Sequence, residues 1–214
     1  GAIGRELGQL FARFGVRGMI REAGPYVAGG EEPEIGKALT EYLADEKIRL
    51  CTNVKIAGVE RAGKEYRLHA EIDGKPETCI AERVLVATGR RPATADIGLA
   101  EAGVQAGPRG EILVDEHLQT ASPEIYAAGD CIGDPMYVYV AAYAGGVAAE
   151  NALTGAGRLY DLSALSHVIF TDPQVASVGL TETAARAQGR RVKTSVLHLK
   201  DVPRALASRD TRGL

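Results

Sequence analysis

Tryptophan is absent from the 214 residues, and methionine, cysteine and phenylalanine occur only two, three and three times. A core anchored on large aromatic rings is therefore excluded, and packing has to rest on aliphatic and small side chains. The three cysteines, Cys51, Cys79 and Cys131, are far apart and odd in number. They form no C-x-x-C pair, which argues against a disulfide scaffold and for a reducing, cytoplasmic setting. Cys131 reads as a packed structural residue with no partner at useful spacing. The four histidines are scattered singly, so no metal site is expected. A net charge of -3 gives no electrostatic reason to expect a nucleic-acid or acidic-membrane partner. The longest apolar run ends at Glu150 after about fourteen residues, short of the ~20 that a membrane span requires. No secretion signal, internal repeat or low-complexity tract is present.

What the chain does have is a short buried-strand pattern, Ile125-Tyr-Ala-Ala-Gly-Asp130, followed by an alanine-rich helical stretch from Val138 to Ala149. A glycine beside an acid at a strand end lets a ligand approach closely and offers it a carboxylate. The amino end of the following helix carries free N–H groups and partial positive charge. The pair suits a ligand that combines a polyol with an electron-rich ring, as a flavin nucleotide does. Asp130 reads equally well as a cap for the loop that follows it.

In chain order, glycines at 1, 4 and 8 precede Leu7, Leu10, Phe11 and Phe14 on one helical face, which stops at Gly15. Val16 to Glu22 then forms a strand ending in an acid. Glycines, helix, strand and terminal acid match the second half of a dinucleotide-binding βαβ unit, with Gly1 and Gly4 as its second and third glycines. The chain thus reads as opening inside that motif, without its first strand, although an ordinary helix packed through small residues fits the same letters. Glu22 favours NAD, because a carboxylate repels the extra phosphate of NADP. Pro33–Asp45 reads as a helix, Ile48–Cys51 as a short strand, and Val54 to Cys79 as antiparallel strands turning at Asp73-Gly74. Arg83–Gly89 reads as a buried strand, Leu99–Val104 as a short helix and Glu111–Asp115 as a strand. Past a linker at Leu153–Gly157, strands are expected at 167–170, 175–178 and 192–199, with a Thr-capped helix at 181–188.

Taken together, Gly1-Ala-Ile-Gly-Arg-Glu-Leu-Gly8, Val86-Ala-Thr-Gly-Arg-Arg-Pro92, Ile125-Tyr-Ala-Ala-Gly-Asp130 and Phe170-Thr-Asp-Pro-Gln-Val-Ala-Ser-Val-Gly179 are similar to motifs of one family. Over essentially its whole length the chain resembles the FAD- and pyridine-nucleotide-dependent disulfide oxidoreductases. Within that family, Tyr137-Val-Tyr-Val-Ala-Ala142 and Asp201-Val-Pro-Arg-Ala-Leu-Ala-Ser-Arg-Asp-Thr-Arg-Gly213 look like the wording of the mercuric reductases, with dihydrolipoamide dehydrogenases second.

The resemblance implies an α/β fold in three parts. Residues 1–88 would be a Rossmann-like NAD(P)-binding domain lacking its first strand, 89–157 a central FAD-contacting segment, and 158–214 the amino-terminal part of an α+β dimerisation domain. It also implies FAD and NAD(P)H as cofactors, a homodimer, and a small-molecule or metal-ion substrate, Hg(II) in the mercuric reductases.

Carried over residue by residue, Asp130 holds the flavin's polyol chain, with Gly129 giving close approach. Val138 and Ala141 lie where the helix start meets the flavin ring. Gly1, Ile3 and Gly4 match the pyrophosphate turn and Glu22 the ribose acid, Val54 and Gly89 are further nucleotide contacts, and Glu6 lies near the nicotinamide. Mercuric reductases commonly use NADPH and lack an acid at the position of Glu22, so the chain departs from them there. The family's redox cysteines and acid-base histidine fall outside these residues, so no catalytic group is expected within them and the isolated chain is expected not to turn over. A non-catalytic nucleotide-binding module is the competing class.

Overall fold

The computed structural model describes all 214 residues, Gly1–Leu214. In chain order it forms α1 (Ala2–Arg13), β1 (Met19–Arg21), α2 (Pro33–Asp45), β2 (Arg49–Cys51), β3 (Val54–Ala62), β4 (Glu65–Ile72) and β5 (Lys75–Ala81). There follow α3 (Val138–Thr154), β6 (Ser166–Ile169), β7 (Val175–Val178), α4 (Glu182–Ala187) and α5 (Pro203–Ser208). The chain divides into two compact units, one of Gly1–Thr88 with Leu165–Leu214 and one of Gly89–Ala164. No helix is long and apolar enough to cross a membrane.

In the first unit β1 and β2 pair in parallel, with Met19 opposite Arg49 and Arg21 opposite Cys51. A parallel pair needs a crossover, and α2 supplies it. Pro33 at the start of α2 pre-sets the backbone for helix, and Leu39 and Leu43, four apart, are buried on one face. They form a core with Val27, Ala28 and Ile48, joined by Ile169 and Val175 from β6 and β7. Burying each such side chain contributes about 1.5–3 kcal/mol, so this shared core is what holds residues 165–214 against 1–88. The start of α2 also packs hard on the preceding loop, since a Cβ on Gly36 would stand 2.6 Å from the Val27 carbonyl oxygen.

Strands β3, β4 and β5 make an antiparallel meander in which Val54 faces Ile72 and Ile72 faces Lys75. Its second turn is Asp73-Gly74, both at positive φ (50° and 77°), the geometry a tight hairpin requires.

Ion pairs tie the far end of α1 to the rest of this unit. Arg13 reaches Glu46 at 2.7 and 2.9 Å and Asp172 at 2.7 Å, and Arg212 meets the other oxygen of Asp172 at 3.2 Å. Hydrogen bonds from Arg13 chiefly hold the Glu46 carboxyl below its ordinary value of 4.5. A depressed acid adds stability that is present above its unfolded value and lost as pH falls through its folded one. Arg13 is 44% exposed, so Arg13→Ala is expected to cost no more than about 1 kcal/mol at pH 7. That difference should vanish well below pH 4.5, and urea unfolding at both pH values would show it. An equal loss in acid would mean that Arg13 acts through packing instead.

The second unit is built on α3. Its small residues let loops lie close, and Ala144, Val147 and Ala148 pack with Leu118. Buried Asn151 fastens the loops by donating to the carbonyls of His117 (2.9 Å) and Arg158 (2.8 Å) and accepting the Arg158 N–H (2.7 Å). The helix ends on Gly155 in the left-handed conformation.

Several sequence expectations are corrected. Residues 83–89 form no strand: no segment pairs with them, and Leu85 and Val86 are 51% and 73% exposed. Residues 192–199 likewise pair with no strand, Leu199 alone donating to the Gly213 carbonyl, and Val196 and Leu197 are exposed. Leu99–Val104 is a set of turns, too short to sustain a helix. Glu111–Asp115 and Ile125–Ala128 make only isolated bridges, Ala106 with Ile112 and Gln119 with Tyr126. In α1 the buried residues are Arg5 and Gln9, while Leu10, Phe11 and Phe14 are exposed.

Candidate functional site

The first unit brings Gly1, at the opening of α1, together with Glu22, at the end of β1. Gly1 is the N-cap of α1, and no side chain caps the helix, so its opening N–H groups are left for a ligand. Gly4 lies close to the neighbouring segment, where a Cβ would meet that of Ala87 at 3.3 Å. Ile3 is 48% exposed on the first turn.

Glu22 follows β1 directly. Its backbone continues the sheet, donating to the Cys51 carbonyl and accepting from Val54. One carboxylate oxygen accepts from the Gly1 amino group at 3.2 Å and the other from the Gly24 N–H at 3.3 Å. Burial pushes this carboxyl up, while the Gly24 N–H and the charge of Arg5 pull it down. It is an anion at the opening of a helix.

Arg21, one residue back along the strand, faces the other way. Its guanidinium donates to Glu77 on β5 at 2.7 Å and is tied down there. Val54 is buried and its N–H is taken by the Glu22 carbonyl. Glu6 accepts the Phe170 N–H at 2.8 Å, so its carboxylate fixes the backbone that follows β6.

The second unit holds Gly129, Asp130 and the start of α3. Gly129 has φ 82° and ψ -156°, a combination reached essentially only by glycine. A Cβ there would stand 3.2 Å from that of Ala141 on α3, so the backbone and the helix approach through the missing side chain. Asp130 opens a 3-10 turn, Asp130–Ile132, with its carboxylate half-exposed and 3.2 Å from an Arg90 nitrogen. The same guanidinium donates to the Met136 carbonyl, which fixes it beside the loop leading into α3.

Tyr137 is the N-cap of α3 and supplies no side-chain cap. The first helical bond runs from Ala141 to the Tyr137 carbonyl (2.9 Å), which leaves the N–H groups of the opening turn without helical acceptors, and Val138 is 88% exposed there. Gly89 opens this unit at φ 117°. Cys131 donates to the Ala128 carbonyl at 3.2 Å.

The structure thus joins Gly1 with Glu22, Gly129 with Ala141, and Asp130 with Arg90. Sequence reading had assigned no role to Arg90, Arg5, Phe170, or the contact set of Glu31, His167 and Ser177. Arg90 stood inside a quoted motif, so its position was visible though its partner was not. Arg5, Phe170 and Ser177 also stood inside quoted motifs, but their surroundings depend on burial or on contacts more than a hundred residues apart, as do those of Glu31 and His167.

A family model described as pyridine nucleotide-disulphide oxidoreductase matches residues 1–145, and the dimerisation domain of the same description matches 165–214. Mercuric reductases of Bacillus cereus and Staphylococcus aureus are each 44% identical over the whole chain, which spans 34% and 39% of their lengths. That of Streptomyces lividans is 43% identical, with 45% of its length spanned. Among solved structures, the HOCl-induced flavoprotein disulfide reductase RclA of Escherichia coli superposes with a TM-score of 0.85 at 28% identity. LpdA of Mycobacterium tuberculosis gives 0.88, also at 28%. Both cover all of this chain, which spans 48% and 46% of theirs. Matched over residues 1–145 and 165–214, the chain belongs to the pyridine nucleotide-disulphide oxidoreductase family.

Proposed function

We propose that these residues form the central part of a homodimeric, FAD-dependent reductase that draws electrons from NAD(P)H and, through a cysteine pair outside the 214 residues, reduces Hg(II) to Hg(0). The whole-length identity of 44% to mercuric reductases supports this choice within the family. In this reading 1–88 supply the nucleotide site, 89–157 contact the flavin, and 158–214 begin the dimer interface.

The residues fit the cofactors. Asp130 offers a solvent-facing carboxylate for polyol hydroxyls, and Gly129 lets its loop lie against Ala141, which sets the carboxylate beside the start of α3. The uncapped start of α3, at Val138 and before Ala141, directs N–H groups and the positive end of the helix dipole toward electron-rich ring atoms. Bound there, FAD supplies two-electron transfer between the nicotinamide and the thiols. In the first unit Gly1, Ile3 and Gly4 receive the pyrophosphate on the open turn of α1, and the Glu22 carboxylate accepts from ribose hydroxyls. Glu6, pinned by Phe170, faces the nicotinamide end. Gly89 and Val54 border the nucleotide.

The test is NADH and NADPH oxidation by the intact, flavin-loaded protein with Hg(II) and excess thiol, against oxidised lipoamide as the alternative acceptor. Mercury-dependent oxidation is expected. Turnover with the lipoyl substrate alone would overturn the proposed acceptor.

A further inference from the structure

Six polar or charged residues are buried as whole residues, and Arg5 is the charged one among them. The side chains of Arg21 (8% exposed) and Glu31 (7%) are as covered, but each is paired, Arg21 with Glu77 and Glu31 with His167 and Ser177. The other five, Gln9, Thr94, Thr120, Asn151 and Thr171, all make side-chain hydrogen bonds. Arg5 makes none: it is 6% exposed, and its Nε is enclosed without a partner. A buried cation without a counter-ion is costly, so native proteins pair such groups.

The acids whose charge acts on Arg5 are Glu22, Glu31 and Glu6, and each is engaged elsewhere. Glu22 binds Gly1 and Gly24, and Glu6 binds the Phe170 N–H. Glu31 contacts His167 Nε2 at 2.6 Å with one oxygen and accepts from Ser177 at 2.9 Å with the other. Burial lowers the Arg5 guanidinium from its ordinary value, these three acids act against it without hydrogen-bonding it, and its Nε is left unfilled.

Its position says what could fill them. Arg5 stands on the fourth residue of α1, helical side chains lean toward the amino end, and Glu22, the acid whose charge acts most strongly on Arg5, contacts Gly1 at the N-cap, which together put the guanidinium on the side of the uncapped opening turn. Two anion-seeking features therefore converge, the free N–H groups of that turn and an unpaired planar cation suited to phosphate.

We propose that Arg5 is a recognition residue whose guanidinium pairs with a phosphate of the adenosine half of NAD(P)H, an inference that rests on the nucleotide-site reading above. It gives this chain a charge contact at the nucleotide that the glycine turn by itself does not supply, and it offsets the repulsion between Glu22 and the nucleotide's anionic groups.

Titration of the intact protein with ADP, 2′,5′-ADP and adenosine, each displacing NADH fluorescence, tests this without turnover. Arg5→Met is expected to weaken at least one phosphorylated ligand tenfold or more and to leave adenosine unchanged. Loss shared by both places the contact at the 5′-phosphates, whereas loss confined to 2′,5′-ADP places it at the 2′-phosphate. Arg5→Lys should recover part of the affinity. The Arg5→Met melting temperature should equal or exceed the parent's, since no hydrogen bond within these residues is lost and methionine keeps the aliphatic packing. Unchanged affinity for both phosphorylated ligands, or a lowered melting temperature with unchanged affinity, would overturn the proposal. If the parent binds NADH and only the variant comparison is flat, this inference fails alone; if the parent binds no nucleotide, the nucleotide-site reading fails with it.

Discussion

Asp130→Ala in the intact protein is expected to strip the flavin and leave the fold standing. The carboxylate is 49% exposed, and its one ion pair, with Arg90, is itself half-exposed. Such pairs are worth about 0–1 kcal/mol, so the melting temperature should move by only a few degrees. On the ligand side, Ala removes a charged acceptor for polyol hydroxyls. Hydrogen bonds to a charged group contribute about 1.5–3 kcal/mol each, so two of them correspond to a loss of more than a hundredfold in affinity. Absorbance at flavin wavelengths relative to protein, after dialysis, reads this directly. A colourless but folded variant fits the assignment, whereas one that keeps its flavin as tightly as the parent leaves Asp130 as the cap of a 3-10 turn. Asp130→Asn should fall between, because the amide oxygen still accepts but carries no charge.

That separation of binding from folding follows from how the site is made, and it bears on what the sequence could tell. The starts of α1, α2 and α3 were legible because they are set locally, α1 by Gly1 and α2 by Pro33. But α3 runs five residues past the expected Ala149, through Leu153 and Thr154 of the expected linker, and stops only at the left-handed Gly155. The β3–β5 meander was legible because alternation and Asp73-Gly74 act within a few residues. Residues 83–89 and 192–199 have the composition of strands, but a strand exists only through a neighbour that takes its hydrogen bonds in a ladder, and here only the last residue, Leu199, finds one, at the Gly213 carbonyl. The inward face of α1 was misjudged for a related reason. Its leucines and phenylalanines make the stronger apolar stripe, yet Gln9 is held between Glu46 and the Asp172 backbone, at 2.9 and 2.8 Å, so polar contacts decide which side turns inward. Asp130 and Gly129 stood out in the sequence because their roles rest on short-range chemistry. Arg90, whose partner is forty residues away, did not.

Gly129→Val is expected to fail in the opposite way, losing the fold of residues 89–164 together with the flavin. Two separate penalties meet at this position. The φ of 82° with ψ of -156° lies where a side chain costs about 1–3 kcal/mol, at the upper end for a β-branched one. The added Cβ would stand 3.2 Å from the Ala141 Cβ, and valine's methyl groups must go further into α3, an overpacking of about 1–3 kcal/mol more. Their sum, about 2–6 kcal/mol, is a large part of a typical domain's 5–15 kcal/mol. Urea unfolding followed by far-UV dichroism should show an earlier transition for the variant. The two penalties can be separated by adding Ala141→Gly, which makes room for the side chain but leaves the backbone strained. The double variant should recover only part of the loss, after allowing for about 1 kcal/mol that glycine itself costs inside a helix. Full recovery would show that contact with α3 was the whole reason for the glycine, and no recovery would show that the backbone conformation was.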